Sequence, residues 1–378
     1  MIELLYASVV MSAGLILYHH LLYPLILRLA NRADTPSLPP SPQEWPAITV
    51  LVPACDEEAV IGAKIDNLAA LDYSRKKLWV TVVCDGCRDG TAEKARESAA
   101  RHPDLVVTVI ECAENRGKVA VLNETIPAIG TDILVLTDAS ARVETDALKR
   151  VACWMRDKTV GVVSGVYVLS EDASAGEQVY WRYQVAIKRG EARIDSPIGV
   201  HGAFYAVRPE LFAPLEPDTI NDDVILPMRI RLAGFCIVYD VRMKILEKEK
   251  ADSHVDFRRR QRIAAGNIQQ VIRLAAALDP RRGGLFFVFA SGKGLRAVMP
   301  LLLLWCLIGN ALLIPVHSFW TWTMIVQAIL YAVAVFPAGI PVAVTIRYFV
   351  IGHLAGLIGL GQYAARRYRR PWHRAGVP

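Results

Sequence analysis

Two long stretches of the sequence contain no charged side chain, and they restrict the architectures open to the chain more than any other feature. Residues 4–27 and 297–346 lack Asp, Glu, Lys and Arg, although these types make up 21% of the whole sequence. About 20 apolar residues in a helix cross the hydrocarbon core of a bilayer. The segment between them, 31–293, has the composition of a soluble domain. The sequence therefore predicts a membrane protein with a soluble domain inserted between membrane segments.

The basic residues lie at the edges of the apolar stretches, which predicts the orientation of the chain. Since basic flanks stay in the cytoplasm, both ends of the C-terminal helix pair and the soluble domain should be cytoplasmic, in a multi-pass protein of the cytoplasmic membrane. A cleaved signal peptide is disfavoured because the first apolar run is too long and has no early basic region. The predicted parts are a transmembrane helix 1–30, a proline-rich linker 31–46, the soluble domain 47–275, an interfacial segment 276–296, transmembrane helices 297–316 and 319–340, a segment 341–365, and a basic cytoplasmic tail 366–378.

Segment 341–365, two histidines in the first apolar helix and the net charge add to this membrane prediction. Segment 341–365 stays open between a re-entrant, an interfacial and a third crossing segment, because a full crossing would move the arginine-rich tail outside. His19 and His20 are costly in an apolar helix, so we expect them near an interface or facing other helices. The net charge of +6 follows the membrane edges, which argues against nucleic-acid binding.

Seven cysteines show no disulfide pattern, which is typical of a reducing compartment. Cys84 and Cys87 form a C-x-x-C pair. No second cysteine or histidine pair lies nearby in the sequence to complete a zinc site. A metal or redox function for this pair is therefore disfavoured.

The soluble domain alternates between strand-like and helix-like segments. Short apolar runs at 48–53, 78–83, 105–110 and 133–136 read as strands, and each of the first three is followed by a helical segment. Alternation of this kind predicts an α/β fold with a doubly wound, mostly parallel sheet.

Charged side chains follow three of these strands directly. Glu57, Asp85 and Asp138 come after the first, second and fourth strands, and Lys118 lies in a nearby loop. Ligands of open α/β sheets bind beyond the carboxyl ends of the strands. Carboxylates and a lysine at that edge suit a nucleotide whose diphosphate is bridged by Mg²⁺ or Mn²⁺. From position alone, Asp138 could equally begin a turn or cap a helix.

No phosphate-binding motif of the Walker type and no G-x-G-x-x-G occurs in the chain. Their absence argues against an ATPase or a dehydrogenase.

The second half of the domain adds a pair of acids and a basic segment. Asp222 and Asp223 could be helix-capping residues, or one of them could deprotonate an acceptor hydroxyl while the other orients it. The basic run 257–262 could face lipid headgroups or neutralise a departing diphosphate.

Taken together and in order, these segments resemble the membrane-bound family 2 glycosyltransferases, the group that contains cellulose, hyaluronan and chitin-oligosaccharide synthases and ceramide glucosyltransferase. The resemblance runs from about residue 47 to the C-terminus. Its individual motifs are weakly specific, but six of them occur in order at plausible spacing. The stretches that carry it resemble P-A-Y-N-E-E at 53–58, D-G-S-x-D-G-T at 83–91, G-K-x-x-A-L-N at 115–123, D-x-D at 138–140, T-E-D-x-x-L at 221–226 and Q-x-x-R-W at 259–263.

The resemblance implies a GT-A fold, Rossmann-like, between N- and C-terminal transmembrane helices. It further implies an inverting hexosyl or N-acetylhexosaminyl transfer from a nucleotide sugar, with UDP as the favoured nucleotide and Mg²⁺ or Mn²⁺ as cofactor. The implied catalytic residues are Asp223 and Asp222; the implied donor-binding residues are Pro53, Glu57, Asp85, Lys118, Asp138 and Arg262; the implied acceptor-binding residues are Gly202, Ala203, Phe204 and Arg259; and the implied metal ligands are Asp138 and Ser140.

The chain departs from the family pattern at several positions. Ser140 replaces the second acid of D-x-D, Asp56 replaces the usual Asn, and the final motif has Arg259 and Ile263 in place of Gln and Trp. The missing Trp removes a ring on which a growing sugar chain would stack. We therefore expect single or few additions to a lipid-linked or envelope glycan acceptor.

Two alternatives stay open. One is a processive polysaccharide synthase, which would need a transmembrane channel and therefore an oligomer. The other is a non-catalytic membrane scaffold or nucleotide-sugar sensor.

Overall fold

A computed structural model of the chain describes residues 1–31, 36–169, 175–247, 253–335 and 341–365. The described residues fall into two compact units. Those of Met1–Leu29 and Ala251–Tyr368 form the helical unit, and those of Ala30–Lys250 form the sheet unit. The predicted tail, 366–378, lies outside the described residues.

The helices and strands are numbered in chain order. The helices are α1 Ile2–Leu17, α2 Tyr23–Ala30, α3 Glu58–Ala69, α4 Thr91–Ala100, α5 Lys118–Thr125, α6 Ala147–Met155, α7 Ala175–Ile194, α8 Asp222–Leu232, α9 Ser253–Arg273, α10 Gly284–Val288, α11 Leu295–Leu313, α12 Ser318–Val335 and α13 Pro341–Ala364. The strands are β1 Ile48–Ala54, β2 Leu78–Asp85, β3 Val106–Cys112, β4 Ile133–Thr137, β5 Ala141–Val143, β6 Val160–Leu169, β7 Phe204–Val207 and β8 Cys236–Glu247.

The sheet unit is built on one eight-stranded sheet with the order β3-β2-β1-β4-β7-β6-β8-β5. β1, β2, β3 and β4 pair in parallel, as does β6 with β8. β7 is antiparallel to both β4 and β6, and β5 is antiparallel to β8. The predicted α/β fold with a mostly parallel sheet is confirmed, and all four predicted strands are present.

Burial explains why these segments form strands. Every residue of β1 and of β4 is buried, as expected for central strands covered on both faces. β3 has only one neighbour, and its residues alternate between exposed and partly buried. Because β1, β2 and β4 are parallel neighbours, their carboxyl ends lie at the same edge, which gathers the polar residues that follow them.

In the helical unit, α1 and α2 are joined by a π-helical turn, Tyr18–Leu22, into a single helix, Ile2–Ala30. α10 and α11 are joined in the same way by Phe289–Gly294, so that the predicted interfacial residues 284–296 belong to the helix Gly284–Leu313.

These two helices and Ser318–Val335 are long and apolar enough to cross a membrane. Segment 341–364 is one further continuous helix, α13. How these helices lie in a membrane stays a prediction.

Candidate active site

The loops that follow β1 and β2 are bonded to each other. The Arg88 amide donates to Asp56 Oδ1 at 2.7 Å, and the Glu57 amide donates to Thr91 Oγ1 at 2.8 Å. Asp56 has a φ of 55°, a left-handed conformation in which Asn and Asp are enriched among non-glycine residues. This explains why Asp56 can stand where the family pattern has Asn. The two loops hold the half-buried Glu57 at the end of β1.

Asp85 at the end of β2 is fully buried and organises the turn that precedes α5. Its Oδ2 atom accepts hydrogen bonds from the amides of Arg116, at 3.0 Å, and Gly117, at 2.7 Å. Its Oδ1 atom is buried without a hydrogen-bond partner among the described residues, 3.6 Å from Arg116 Nε. Gly86 lies against the backbone of this turn, since a Cβ there would approach Asn115 N to 2.1 Å. The carboxylate thus has one oxygen engaged and one that a ligand donor could satisfy.

Lys118, the first residue of α5, lies between two of the predicted site carboxylates. Its Nζ atom is 3.1 Å from Asp138 Oδ1 and 3.5 Å from Asp222 Oδ2. Burial alone would lower the pKa of Lys118, but the charges of Asp138, Asp222 and Asp223 outweigh it and raise the pKa above its usual value. Lys118 is therefore always positively charged, and three carboxylates surround this single cation.

Tyr205 on β7 lies beneath this group. Its side chain is fully buried, and burial together with the nearby charges of Asp222 and Asp223 raises the pKa of its hydroxyl well above the usual value. The phenol therefore stays neutral beside the acids of this group. Charges in such a low-dielectric setting interact more strongly than they would in water.

The two acids at the start of α8 differ in their surroundings. Asp222 is buried and faces Lys118. Asp223 is only half-buried and lies beside Gly202, where a Cβ would come within 3.4 Å of Asp223 Oδ2. The backbone on both sides is fixed, because the Val200 amide donates to the Asp223 carbonyl at 2.9 Å. Glycine at 202 thus leaves one side of the Asp223 carboxylate uncovered by a side chain.

The residues around Asp138 fit a divalent cation whose remaining ligands come from a diphosphate and water. The Asp138 side chain is 39% exposed, and Lys118 engages only its Oδ1 atom. Ser140, two residues on, is half-buried and offers a hydroxyl. Mg²⁺ in phosphate-transfer sites is commonly held by one or two carboxylates plus substrate phosphates. One carboxylate with a hydroxyl is therefore a sufficient protein contribution.

A second group of potential ligands, Asp56, Cys87 and Asp89, lies on the loops after β1 and β2, with ligand atoms within 4.8 Å of one another. Its carboxylates already have structural partners. Asp56 accepts from the Arg88 amide, and Asp89 accepts from the Thr91 and Glu58 amides. These hydrogen bonds indicate that the two carboxylates stabilise the loops, and we do not assign the metal to this group.

The comparison with known families identifies the chain. The profile described as "Glycosyltransferase like family 2" matches residues 46–266. This range includes all six of the motifs described above. The chain belongs to this glycosyltransferase family. The sequence-based recognition of the family is thereby confirmed.

Relatives and solved structures agree with this assignment. The β-monoglucosyldiacylglycerol synthase of Synechocystis sp. is 25% identical over 239 residues, which are 60% of this chain and 49% of that protein. The poly-β-1,6-N-acetyl-D-glucosamine synthase of Staphylococcus aureus is 24% identical over 205 residues, covering 52% of this chain and 48% of that protein. The matched part thus spans about half the length of either relative.

A mannosyltransferase from Pyrobaculum calidifontis, solved in complex with GDP-Man and Mn²⁺, has a TM-score of 0.74 and 23% identity, and the match covers 96% of this chain and 99% of that one. This likeness shows the fold and confirms the GT-A class.

Sequence reasoning missed Lys64 of α3, which lies behind the Asp138 turn. Lys64 is 1% exposed, and its Nζ donates to Thr137 Oγ1 and to the Ala141 carbonyl, both at 2.7 Å. Thr137 Oγ1 donates in turn to the Ala203 carbonyl at 2.7 Å. One buried ammonium therefore ties the end of β4 to the loop before β7. The available signal was its position on the apolar face of α3, three residues after Ile61.

The remaining predicted site residues are less central in the structure. Pro53 is buried within β1, and Ala203 contributes its carbonyl, which also accepts from the Asp138 amide. The Phe204 side chain is fully buried in the core, which leaves it no surface for an acceptor. Arg262 lies on α9 of the helical unit with an exposed side chain. The Arg259 side chain lies outside the described residues.

Proposed function

We propose that the protein is an inverting glycosyltransferase that transfers a sugar from a UDP-sugar to a hydroxyl of a lipid-linked or envelope glycan acceptor, one or a few sugars at a time, at the cytoplasmic face of the membrane. The observation that carries the proposal is the arrangement around Lys118. This ammonium contacts Asp138 on the donor side and Asp222 on the acceptor side, and the half-buried Asp223 follows Asp222 directly. A donor diphosphate and an acceptor hydroxyl would meet between these groups.

The donor would be held by the groups at the ends of β1, β2 and β4. Glu57 would accept from the ribose, and the unsatisfied Oδ1 atom of Asp85 would accept the ring N–H of uracil once Arg116 moves aside. Asp138 and Ser140 would hold Mg²⁺ or Mn²⁺, which would neutralise charge on the leaving diphosphate. Arg262 is proposed to contact the same diphosphate.

The transfer itself would use Asp223 as the general base. Its carboxylate removes the proton from the acceptor hydroxyl as that oxygen attacks the anomeric carbon of the donor. The bond from the anomeric carbon to the diphosphate oxygen breaks with its electron pair, and nucleoside diphosphate leaves. A single displacement of this kind inverts the anomeric configuration. The ion pair with Lys118 would hold Asp222 in place beside the base.

The experiment uses the full chain in detergent or nanodiscs with Mn²⁺, a membrane lipid extract and a panel of UDP-glucose, UDP-galactose, UDP-N-acetylglucosamine and GDP-mannose. GDP-mannose is included because the Pyrobaculum calidifontis protein was solved with it. We expect release of UDP and a lipid product enlarged by one or a few sugars, with an inverted anomeric centre. Long polymers would favour the processive alternative. Saturable sugar-nucleotide binding without any turnover would favour the sensor.

Replacing Asp85 with asparagine is expected to weaken UDP binding by about 10- to 100-fold. A hydrogen bond to a charged group is worth about 1.5–3 kcal/mol, and the amide would also present N–H groups where Arg116 and Gly117 donate. Calorimetric titration with UDP measures the effect. Asp104→Asn is the matched control, because that carboxylate is 62% exposed and, among the described residues, forms an ion pair only with Arg75. Unchanged UDP affinity in Asp85→Asn would remove Asp85 from the donor site.

Replacing Asp138 with asparagine is expected to weaken Mn²⁺ binding in the presence of UDP by at least about tenfold, since a neutral amide is a poor ligand for a hard dication. Electron paramagnetic resonance of free Mn²⁺ measures this without turnover. Asp56→Asn is the control for the second acidic group, and it should leave Mn²⁺ binding unchanged. Loss of Mn²⁺ binding in Asp56→Asn with retention in Asp138→Asn would place the metal at the loop group.

A further inference from the structure

The helical unit contains a cluster of basic side chains in the middle of its apolar helices. This cluster, which we call the histidine–arginine cluster, consists of His19, His20, Arg296 and His353. The His19 and His20 rings lie 4.9 Å apart, and the His20 and His353 rings 5.7 Å apart, between centroids. Arg296 lies within electrostatic range of all three rings. The expectation that His19 and His20 face other helices is met by these contacts.

Two π-helical turns build the cluster. His19 and His20 lie in the turn Tyr18–Leu22, and His19 Nδ1 is 2.8 Å from the carbonyl of Ser291, which lies in the turn Phe289–Gly294. The Tyr18 hydroxyl is also 2.8 Å from Ser291 Oγ. π-Helical turns are rare and frequently occur at functional sites. Here the two turns are hydrogen-bonded to each other, which fixes the His19 ring on the turn that precedes Arg296.

The cluster carries positive charge without a counter-ion. A guanidinium is always protonated, and Arg296 makes no hydrogen bond or ion pair with any residue that the structure describes. The side chain is half-buried. His20 Nε2 is buried and has no hydrogen-bond partner within the described ranges. Ionisable groups among apolar helices are costly and normally face a partner of opposite charge.

The chemistry of the cluster favours an anion over a metal ion as its partner. Across the described residues, no three histidine or acidic ligand atoms in this unit converge to metal-binding distance, and the charge of Arg296 would repel a cation. Arg is a strong charge-assisted hydrogen-bond donor to phosphate oxygens, and a neutral imidazole can add one N–H donor. Next to His20 the same helix exposes the apolar side chains Leu21, Leu22 and Leu25, at 65%, 49% and 52%. An anion that also carries acyl chains would satisfy both surfaces.

We infer that the histidine–arginine cluster binds the phosphate of an anionic lipid headgroup, with Arg296 and His20 as donors and the exposed leucines against the acyl chains. The inference does not depend on which sugar is transferred, or on transfer itself. Inorganic phosphate shares the headgroup chemistry but not the chains.

The test titrates the full-length protein in detergent with short-chain phosphatidic acid, short-chain phosphatidylcholine and inorganic phosphate, and measures binding by native mass spectrometry. We expect phosphatidic acid to bind at least about tenfold more tightly than either other probe. Arg296→Met should weaken phosphatidic acid binding by at least about tenfold, since it removes a charge-assisted donor. His20→Leu should weaken it by a smaller factor.

Arg282→Gln is the matched control, because Arg282 is an exposed arginine in the 3₁₀ turn Pro280–Arg282 of the same unit. Its affinity for phosphatidic acid should stay within about twofold of the parent. An equal loss in Arg282→Gln would mean general surface attraction, and an unchanged Arg296→Met would remove the site. Inorganic phosphate binding as tightly as phosphatidic acid would overturn the lipid assignment. Folding is not at risk in Arg296→Met, since the change breaks no hydrogen bond or ion pair with a described residue.

Discussion

Asp223→Asn is expected to lower the rate of sugar transfer by about 10³-fold and to leave UDP binding within about twofold. A positioned general base contributes roughly 10²–10⁴-fold to a proton transfer, and an amide cannot accept the proton. The substitution preserves the shape of the side chain beside Gly202, and the Asp223 carbonyl that binds the Val200 amide is unaffected. The loss should therefore appear in kcat and not in KM for the donor. Single-turnover transfer and UDP titration on the same preparation measure the two quantities.

Asp222→Asn is the control that distinguishes a general base from a residue that only supports the site. Asp222 is buried against Lys118, and its substitution leaves Asp138 as the remaining ion-pair partner of that cation among the described residues. We expect a lower melting temperature and a smaller loss of kcat than in Asp223→Asn. If Asp222→Asn abolishes transfer and Asp223→Asn keeps it, the roles of the two acids are reversed. If neither changes the rate, the two acids have only a structural role in the first turn of α8 and the proposed mechanism fails.

Local patterns were sufficient to predict which residues meet in the proposed donor half of this site. The apolar run Ile133–Leu136 forms β4, because a strand covered on both faces needs apolar residues at consecutive positions. Asp85 and Asp138 then lie at one edge, because parallel strands of one sheet end together. Each of these inferences depends on residues close together in the sequence. The local structure that such short-range patterns predict depends little on how the distant parts of the chain pack.

The proposed acceptor half depends on contacts between distant segments, which no local pattern predicts. The antiparallel strand β7 inserts between β4 and β6 and brings Gly202 to Asp223. Strand pairing of this kind is decided by tertiary packing, since strand propensity depends on context. The contact of Lys118 with Asp222 has the same origin. The sequence showed two acids that could cap a helix, and only the fold distinguishes the half-buried one from the buried one.

The buried cations were the least predictable residues. Lys64 interrupts the apolar face of α3, a position where a charged residue needs partners from other elements. Those partners, Thr137 and Ala141, lie at the end of β4 and the start of β5. Arg296 was informative in the sequence only as a basic flank. Its position beside three histidines follows from the packing of separate helices.

Lys118→Met should lower the stability of the fold and raise the affinity for Mn²⁺. Both effects are expected because the ammonium lies where a metal ion would bind to Asp138. The carboxylates of Asp138 and Asp222 lose their cation and repel each other. Breaking a buried ion pair costs about 3–5 kcal/mol, and we expect about 2 kcal/mol here because Asp138 is 39% exposed and therefore screened. For a domain of this size, that corresponds to a melting temperature lower by about 4–8 °C.

The second effect is on the metal. With no lysine bound to Asp138 Oδ1, we expect Mn²⁺ to bind the UDP-free variant about tenfold more tightly than the parent, and Mn²⁺ to restore much of the lost melting temperature. Transfer should nevertheless fall by about 10²-fold, because the diphosphate loses a charge-assisted donor. Electron paramagnetic resonance and thermal melts with and without Mn²⁺ measure both. Weaker Mn²⁺ binding in the variant would contradict competition between Lys118 and the metal.

The pH dependence separates this electrostatic account from a packing defect. The pKa of Lys118 is raised above its usual value, so its stabilising contribution is fully present below that usual value and is lost only as the pH rises through the raised pKa in the folded protein. Between pH 5 and 8 the parent therefore gains nothing from this group by acidification. In Lys118→Met the uncompensated carboxylates bind protons more readily when folded, so the stability deficit should shrink as the pH falls from 8 to 5. Lys149→Met removes an exposed ion pair with Asp72 and should cost less than about 1 kcal/mol at every pH. If the loss of stability in Lys118→Met were also the same at every pH, its cause would be poor packing of the methionine and not electrostatic repulsion.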